Sequence, residues 1–143
     1  SRRLLVTAGA AALTVQIVVL CGFAMVGRSV AGETVYHDQV ALARDAVPAD
    51  ETVAAGQSGT LGFFRRGVVN VDGKVNPEAL GYQKRMWDYL RLRGVRYFVD
   101  WPYYVNKYLD IPLDDAGKPA LEAKGWRLMD RQRDFYLYQY VGP

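Results

Sequence analysis

Gly56, Gly59 and Gly62, in the stretch GQSGTLGFF, recur every third residue directly behind the apolar run TVAAG. A strand that ends in closely spaced glycines and turns into a helix can point backbone N–H groups at a phosphate, and an acid closing the next strand, here Asp72, can hold a ribose hydroxyl. The spacing, however, is G-x-x-G-x-x-G and not the G-x-G-x-x-G of dinucleotide sites. Only about one helical turn fits behind it, Asp72 arrives early, and no Walker lysine is present. The same glycines permit a tight turn off the strand, with Leu61 and Phe63 or Phe64 tucked into a core, and this packing role accounts for them without a ligand.

A second set of polar residues falls at the expected C-terminal ends of strands or just beyond them: Gln57, Asp72, Asn76 and Asp100. Open α/β sheets bind ligands along that edge. Amides and carboxylates suit sugar hydroxyls there, and they serve equally as turn formers and caps. Asp72 and Asp100 also have the composition of a glycosidase-like carboxylate pair. Trp101, Tyr103, Tyr104 and Tyr108 gather around Pro102. Such rings stack on a sugar, lie at the lipid headgroup level or pack beneath a loop. The candidate ligand-binding residues are therefore Gln57, Asp72, Asn76, Asp100, Trp101 and Tyr104, with no catalytic residue, metal ligand or cofactor expected. Cys21 is the one cysteine and His37 the one histidine, so a thiolate metal site or a histidine-based triad would need a second chain to complete it.

The elements that must position these residues begin with an apolar run. From Leu4 to Val26 no residue is charged, which as a helix predicts a span of roughly 35 Å, enough to cross a bilayer. Arg2 and Arg3 precede it and Arg28 follows, so the positive-inside bias puts the N-terminus in the cytoplasm and the rest on the extracytoplasmic side of a bacterial inner membrane. A cleavable signal peptide ending near Ser29, Val30 and Ala31 is the alternative, and it too exports the remainder. The net charge of +3 comes from those three arginines, because residues 29–143 hold fifteen basic and fifteen acidic residues. Nucleic-acid binding, which needs a basic stripe, is thereby disfavoured.

About 115 residues remain, one domain in size, giving the division 1–28 (membrane helix and flanks) and 29–143 (extracytoplasmic domain). ETVYHDQVALARDAV predicts an amphipathic helix with Tyr36, Val40, Ala43 and Val47 inward, stopped by Pro48. TVAAG and Val68–Val71 predict buried strands with a helical turn between them, and Asp72-Gly73 a turn. Asn76-Pro77-Glu78 reads as a capped start of a helix that runs to Gly94 with Ala79, Tyr82, Met86 and Leu90 on one stripe. VRYFVDW supplies a third strand. GWRLMDRQ and DFYLYQYV form a final antiparallel hairpin with Tyr136, Tyr138 and Tyr140 on one face. The fold class is α/β: an N-terminal transmembrane helix followed by a small mixed-sheet domain ending in a hairpin.

AAGQSGTLGFF, VVNVDGKVNP, a helix and GVRYFVDW together resemble the extracytoplasmic C-terminal domain of polytopic bacterial glycosyltransferases related to protein mannosyltransferases and lipid A aminoarabinose transferases. Gly59-Thr60-Leu61-Gly62-Phe63-Phe64 matches that family's "G-x-L-G-Y-F" turn, and Val71-Asp72-Gly73 its "L-D-G", with Asn76 ahead of the helix. Phe63, Val71 and Lys74 depart from the pattern. The resemblance covers Glu33 to Trp101, and the hairpin loosely. It implies an accessory domain, at a lipid bilayer, of an enzyme that takes sugar from a polyprenyl-phosphate carrier, with that donor or a glycan acceptor as ligand. The family's catalytic acid lies in a many-helix membrane part with no counterpart here, so none is carried over. Alternatively the chain is complete and is a single-pass, non-catalytic binding or assembly module acting through a polytopic membrane partner.

Overall fold

The computed structural model describes residues 13–24 and 35–142. The chain divides into two units, Ser1–Thr34 and Val35–Pro143. In the first, helix α1 occupies residues 13–24, with every one of them exposed. The expected transmembrane helix is not found: among the described residues no helix is long and apolar enough to cross a membrane. Twelve helical residues rise only about 18 Å, against roughly 30 Å of hydrocarbon. The remainder of the Leu4–Val26 run, and its flanking arginines, lie outside the described residues.

The second unit is the small mixed-sheet α/β domain that the strand and helix patterns predict. Its elements are α2 (Val35–Ala46), β1 (Val53–Ala55), α3 (Gly59–Phe64), β2 (Val68–Asn70), α4 (Pro77–Leu80), α5 (Met86–Leu92), β3 (Tyr97–Asp100), α6 (Pro102–Leu109), β4 (Glu122–Ala123), β5 (Trp126–Gln132) and β6 (Phe135–Tyr140). The strands order as β2-β1-β3-β6-β5-β4. β1 runs parallel to β2 and to β3, and β6, β5 and β4 continue antiparallel, with the expected hairpin joining β5 to β6.

Alternation along the strands divides the core in two. Val53, Ala55, Tyr97, Val99, Phe135 and Leu137 face one side, where they pack with Leu42, Ala43 and Val47 of α2 and its end and with Leu61 of α3. Ala54, Phe98, Tyr136 and Tyr138 face the other, against Ala79, Met86, Tyr89, Leu90, Val105 and Tyr108 of α4, α5 and α6. The sheet is thus covered by helices on both faces. The tyrosine row of β6 lies under that second layer, and the Tyr138 hydroxyl donates to the Ala120 carbonyl at 2.5 Å.

Two predicted elements differ, and two observed ones are new. α2 buries Gln39 and Leu42 more completely than Tyr36 or Val40, because the Gln39 amide donates 3.0 Å to the Val99 carbonyl and rotates the face inward. The helix expected from Pro77 to Gly94 is two short ones. Gly81 closes α4 with its N–H on the Glu78 and Ala79 carbonyls, and the Gln83 side-chain amide donates to the carbonyl of Val71 just after β2 (2.9 Å) and to that of Ala79 (3.3 Å), which a continuing helix would have given to the Gln83 backbone N–H. Gly94 does end α5 in the left-handed region, at φ +63°. α6 and β4 have no counterpart in the sequence reading. Pro102 stands at the first turn of α6, and Val105, Tyr108 and Leu109 form its buried face.

Candidate functional site

The carboxyl ends of β1, β2 and β3 meet where the order β2-β1-β3 reverses the direction of chain travel across the sheet, the place where open α/β folds hold ligands. Asp100, the last residue of β3, is fully buried there. Its Oδ2 accepts the N–H groups of Gly56 (2.6 Å) and Gln57 (3.0 Å), and its Oδ1 that of Trp101 (2.8 Å). The protein's own carboxylate occupies the amide cradle that a phosphate would need. Burial pushes the Asp100 carboxyl up to about 6; the three N–H donors pull it down, and the charge of Asp72 adds to the rise. Gly56 belongs to the same latch, since a Cβ there would stand 3.0 Å from the rings of Tyr104 and Tyr108 and 3.2 Å from Asp100 Oδ2.

Around this latch the other predicted residues do different things. The Gln57 amide donates 2.7 Å to the Tyr104 hydroxyl. Tyr104 lies between two neighbours, stacked on Tyr108 (5.7 Å, 7°) and on Trp101 (6.2 Å, 29°), so its faces are taken up by packing. Tyr103, beside it, is 62% exposed. Asp72 Oδ1 accepts the Lys74 N–H at 2.8 Å, which sets the turn whose Gly73 has φ +82°. Asp72 Oδ2 lies 3.6 Å from the Lys74 ammonium. Asp100 has no exposed surface, so it and Asp72 do not present two carboxylates to one solute. Asn76 does not cap α4: its Nδ2 donates to the Asn70 carbonyl and to the Tyr89 hydroxyl, each at 2.7 Å.

Asn70 is the residue that sequence reasoning passes over. Its Nδ2 donates to the Gly56 carbonyl (3.1 Å) and Ser58 Oγ (2.8 Å), and its Oδ1 accepts the Gly73 N–H (3.2 Å). One amide thereby ties the ends of β1 and β2 together. An asparagine inside the apolar run Val68–Val71 is the only sequence signal.

Beside Asn70 opens a cavity of about 400 Å³, lined by Ser58, Gly59, Gly62, Asn70, Asn76 and Arg93 with valines of β2 and its following turn. Space around the Cα of Gly59 and of Gly62 is open to beyond 4 Å, so these two glycines leave the wall bare. Arg93 pairs with Glu78 at 3.4 Å, both partly exposed. The lining offers two amides, a hydroxyl and a guanidinium in a shallow space, and among the described residues no group of His, Cys, Asp or Glu is arranged to hold a metal ion.

Fold and cavity together define a small α/β domain with helices on both faces of a mixed sheet and a polar cavity at its parallel strand ends. The chain belongs to the family described as Domain of unknown function (DUF8728), whose profile matches residues 28–140. No curated protein and no solved structure matches it.

Proposed function

We propose that this domain is an extracytoplasmic accessory domain of a membrane glycosyltransferase that uses a polyprenyl-phosphate-linked sugar, and that it recognises sugar without catalysing its transfer. The observation that carries this reading is the cavity of about 400 Å³ at the ends of β1 and β2. Its neutral amide and hydroxyl groups are the chemistry by which proteins hold sugar hydroxyls, and a few placed polar groups in a preformed hollow are what a ligand site requires. The non-catalytic part rests on Asp100, which is buried behind Gly56 and cannot reach a substrate.

Gly62→Leu tests it. The new side chain enters open space and so leaves the fold intact, yet it fills the cavity wall. Saturation-transfer NMR of the full chain with free hexoses and a short-chain polyprenyl-phosphate hexose is expected to show saturable binding that the variant abolishes. No transfer to the wild type, or equal transfer to both proteins, would end the reading.

A second reading, an assembly module acting through a membrane partner, is favoured by one observation. Phe63 and Phe64 on α3 are 83% and 57% exposed, edge to face at 5.0 Å, with His37 of α2 next in the row at 5.8 Å. Aromatic residues are enriched where proteins meet, and these rings lie together rather than scattered singly.

A further inference from the structure

A second cavity, of about 510 Å³, lies between the turn that joins α4 to α5, the end of α6 and the turn that joins β4 to β5. Its size is within the usual range of small-molecule sites. Four cations from these three places line it: Lys84, Arg85, Lys107 and Lys124. The acids nearby are Asp110, which also lines it and pairs with Lys124, Asp88, which pairs with Arg85 at 3.8 Å, and Asp72, whose charge reaches Tyr108 and which pairs with Lys74 at 3.6 Å. With Lys74 counted beside its partner, five positive and three negative charges leave an excess of two. That excess is local, because residues 29–143 are balanced at fifteen basic and fifteen acidic.

The partners of these cations are weak ones. Among the described residues no carboxylate pairs with Lys107, whose ammonium lies over the rings of Tyr108 (4.8 Å) and Tyr103 (5.9 Å). Arg85 and Asp88 form an exposed pair, the kind that contributes little. Tyr108 lines the cavity and is only 4% exposed, and its hydroxyl, within reach of the Lys107 ammonium as a donor, has no acceptor for its own proton among the described residues. A buried hydroxyl proton without an acceptor is costly, and a ligand oxygen would satisfy it.

We propose that this cavity binds a phosphate monoester, with Lys84, Arg85, Lys107 and Lys124 around the phosphate and the Tyr108 hydroxyl donating to it. A phosphate monoester carries between one and a half and two negative charges near neutral pH, which matches the local excess, and three acceptor oxygens for donors arriving from three directions. A single carboxylate would leave half of that charge unmatched. The inference rests on a different cavity from the proposed sugar site and stands or falls separately.

The test uses the full chain at low salt with two probes: phenyl phosphate, by equilibrium dialysis, and vesicles of phosphatidylcholine with and without phosphatidic acid, by co-sedimentation. Saturable binding is expected, weakening as salt is raised. Lys84 and Lys107 are exposed, so K84Q/K107Q keeps the fold, checked by its thermal melt, and is expected to weaken binding by roughly tenfold or more. G62L is expected to leave it unchanged. Binding of the soluble ester identifies a free phosphorylated metabolite as the source, and binding of the phosphatidic acid vesicles alone identifies a lipid phosphate. Absence of binding to both probes, or binding that K84Q/K107Q leaves unchanged, overturns the proposal.

Discussion

Asp100 decides what the glycine stretch is for. Its carboxylate takes the N–H groups of Gly56 and Gln57, so an internal anion stands where an external one would dock. The same burial makes it a pH-sensitive element of stability. Its folded carboxyl titrates at about 6 against an ordinary 3.8, so the folded state holds the proton more tightly than the unfolded chain. The stabilisation from this group is therefore complete below about pH 4 and is lost as pH rises through about 6, a swing of about 3 kcal/mol. Asp100→Asn removes the titration and nothing else of that kind. Urea denaturation of both proteins at pH 4 and pH 7 is expected to show wild-type stability falling, relative to the variant, by that amount across the interval. Parallel pH curves for the two proteins would refute the linkage.

At the scale of elements, α2 is held by a residue outside it. Arg65, at the end of α3, donates to the carbonyls of Pro48 (2.5 Å) and Glu51 (3.0 Å), and more distantly to those of Val47 (3.4 Å) and Ala43 (3.5 Å). These carbonyls belong to the last turn of α2 and the segment just after it, and a planar guanidinium reaches several at once. Arg65→Ala is expected to cost about 2 to 4 kcal/mol in chemical denaturation. Arg65→Lys should recover less than half of that, since one ammonium cannot span the group; full recovery would show that charge alone matters. Arg65 also illustrates what could be read in advance. Every strand but the two-residue β4 was legible, because short apolar runs bounded by Gly or Pro have few alternatives and the tight β5–β6 link required a hairpin. The break between α4 and α5 was not, because it depends on the Gln83 side chain reaching the Val71 carbonyl across the fold. α6 was missed for a different reason. Its start, Trp101-Pro102, reads as the end of a strand, and its aromatic residues outweighed the helical spacing of Val105, Tyr108 and Leu109. Of the site, the strand-end positions were legible, but whether each polar side chain faces solvent or the core was not: Asp100 points inward and Asn70 ties two strands, and both facts are set by long-range bonds.

For the whole molecule, the question is which surface acts. The polar cavity at the ends of β1 and β2 is lined by Gly59 and Gly62, and two residues further along the same helix, Phe63 and Phe64 project away from the core. Neither phenylalanine lines the cavity, so the two readings of function separate cleanly by substitution. Phe63→Ser with Phe64→Ser removes exposed rings and should leave the unfolding free energy within about 0.5 kcal/mol of wild type. If the domain works by holding sugar, that double variant binds hexose as the wild type does, while G62L does not. If it works by assembly, a photoreactive residue placed at position 63 traps a protein adduct in native membranes, and the adduct disappears when position 64 is also changed to serine. The sugar reading expects hexose binding to survive at position 63 and fail at position 62. The opposite pattern, an adduct at 63 and no hexose effect at 62, would transfer the function from the cavity to the aromatic ridge, because two adjacent features on one short helix would then have been tested under the same fold.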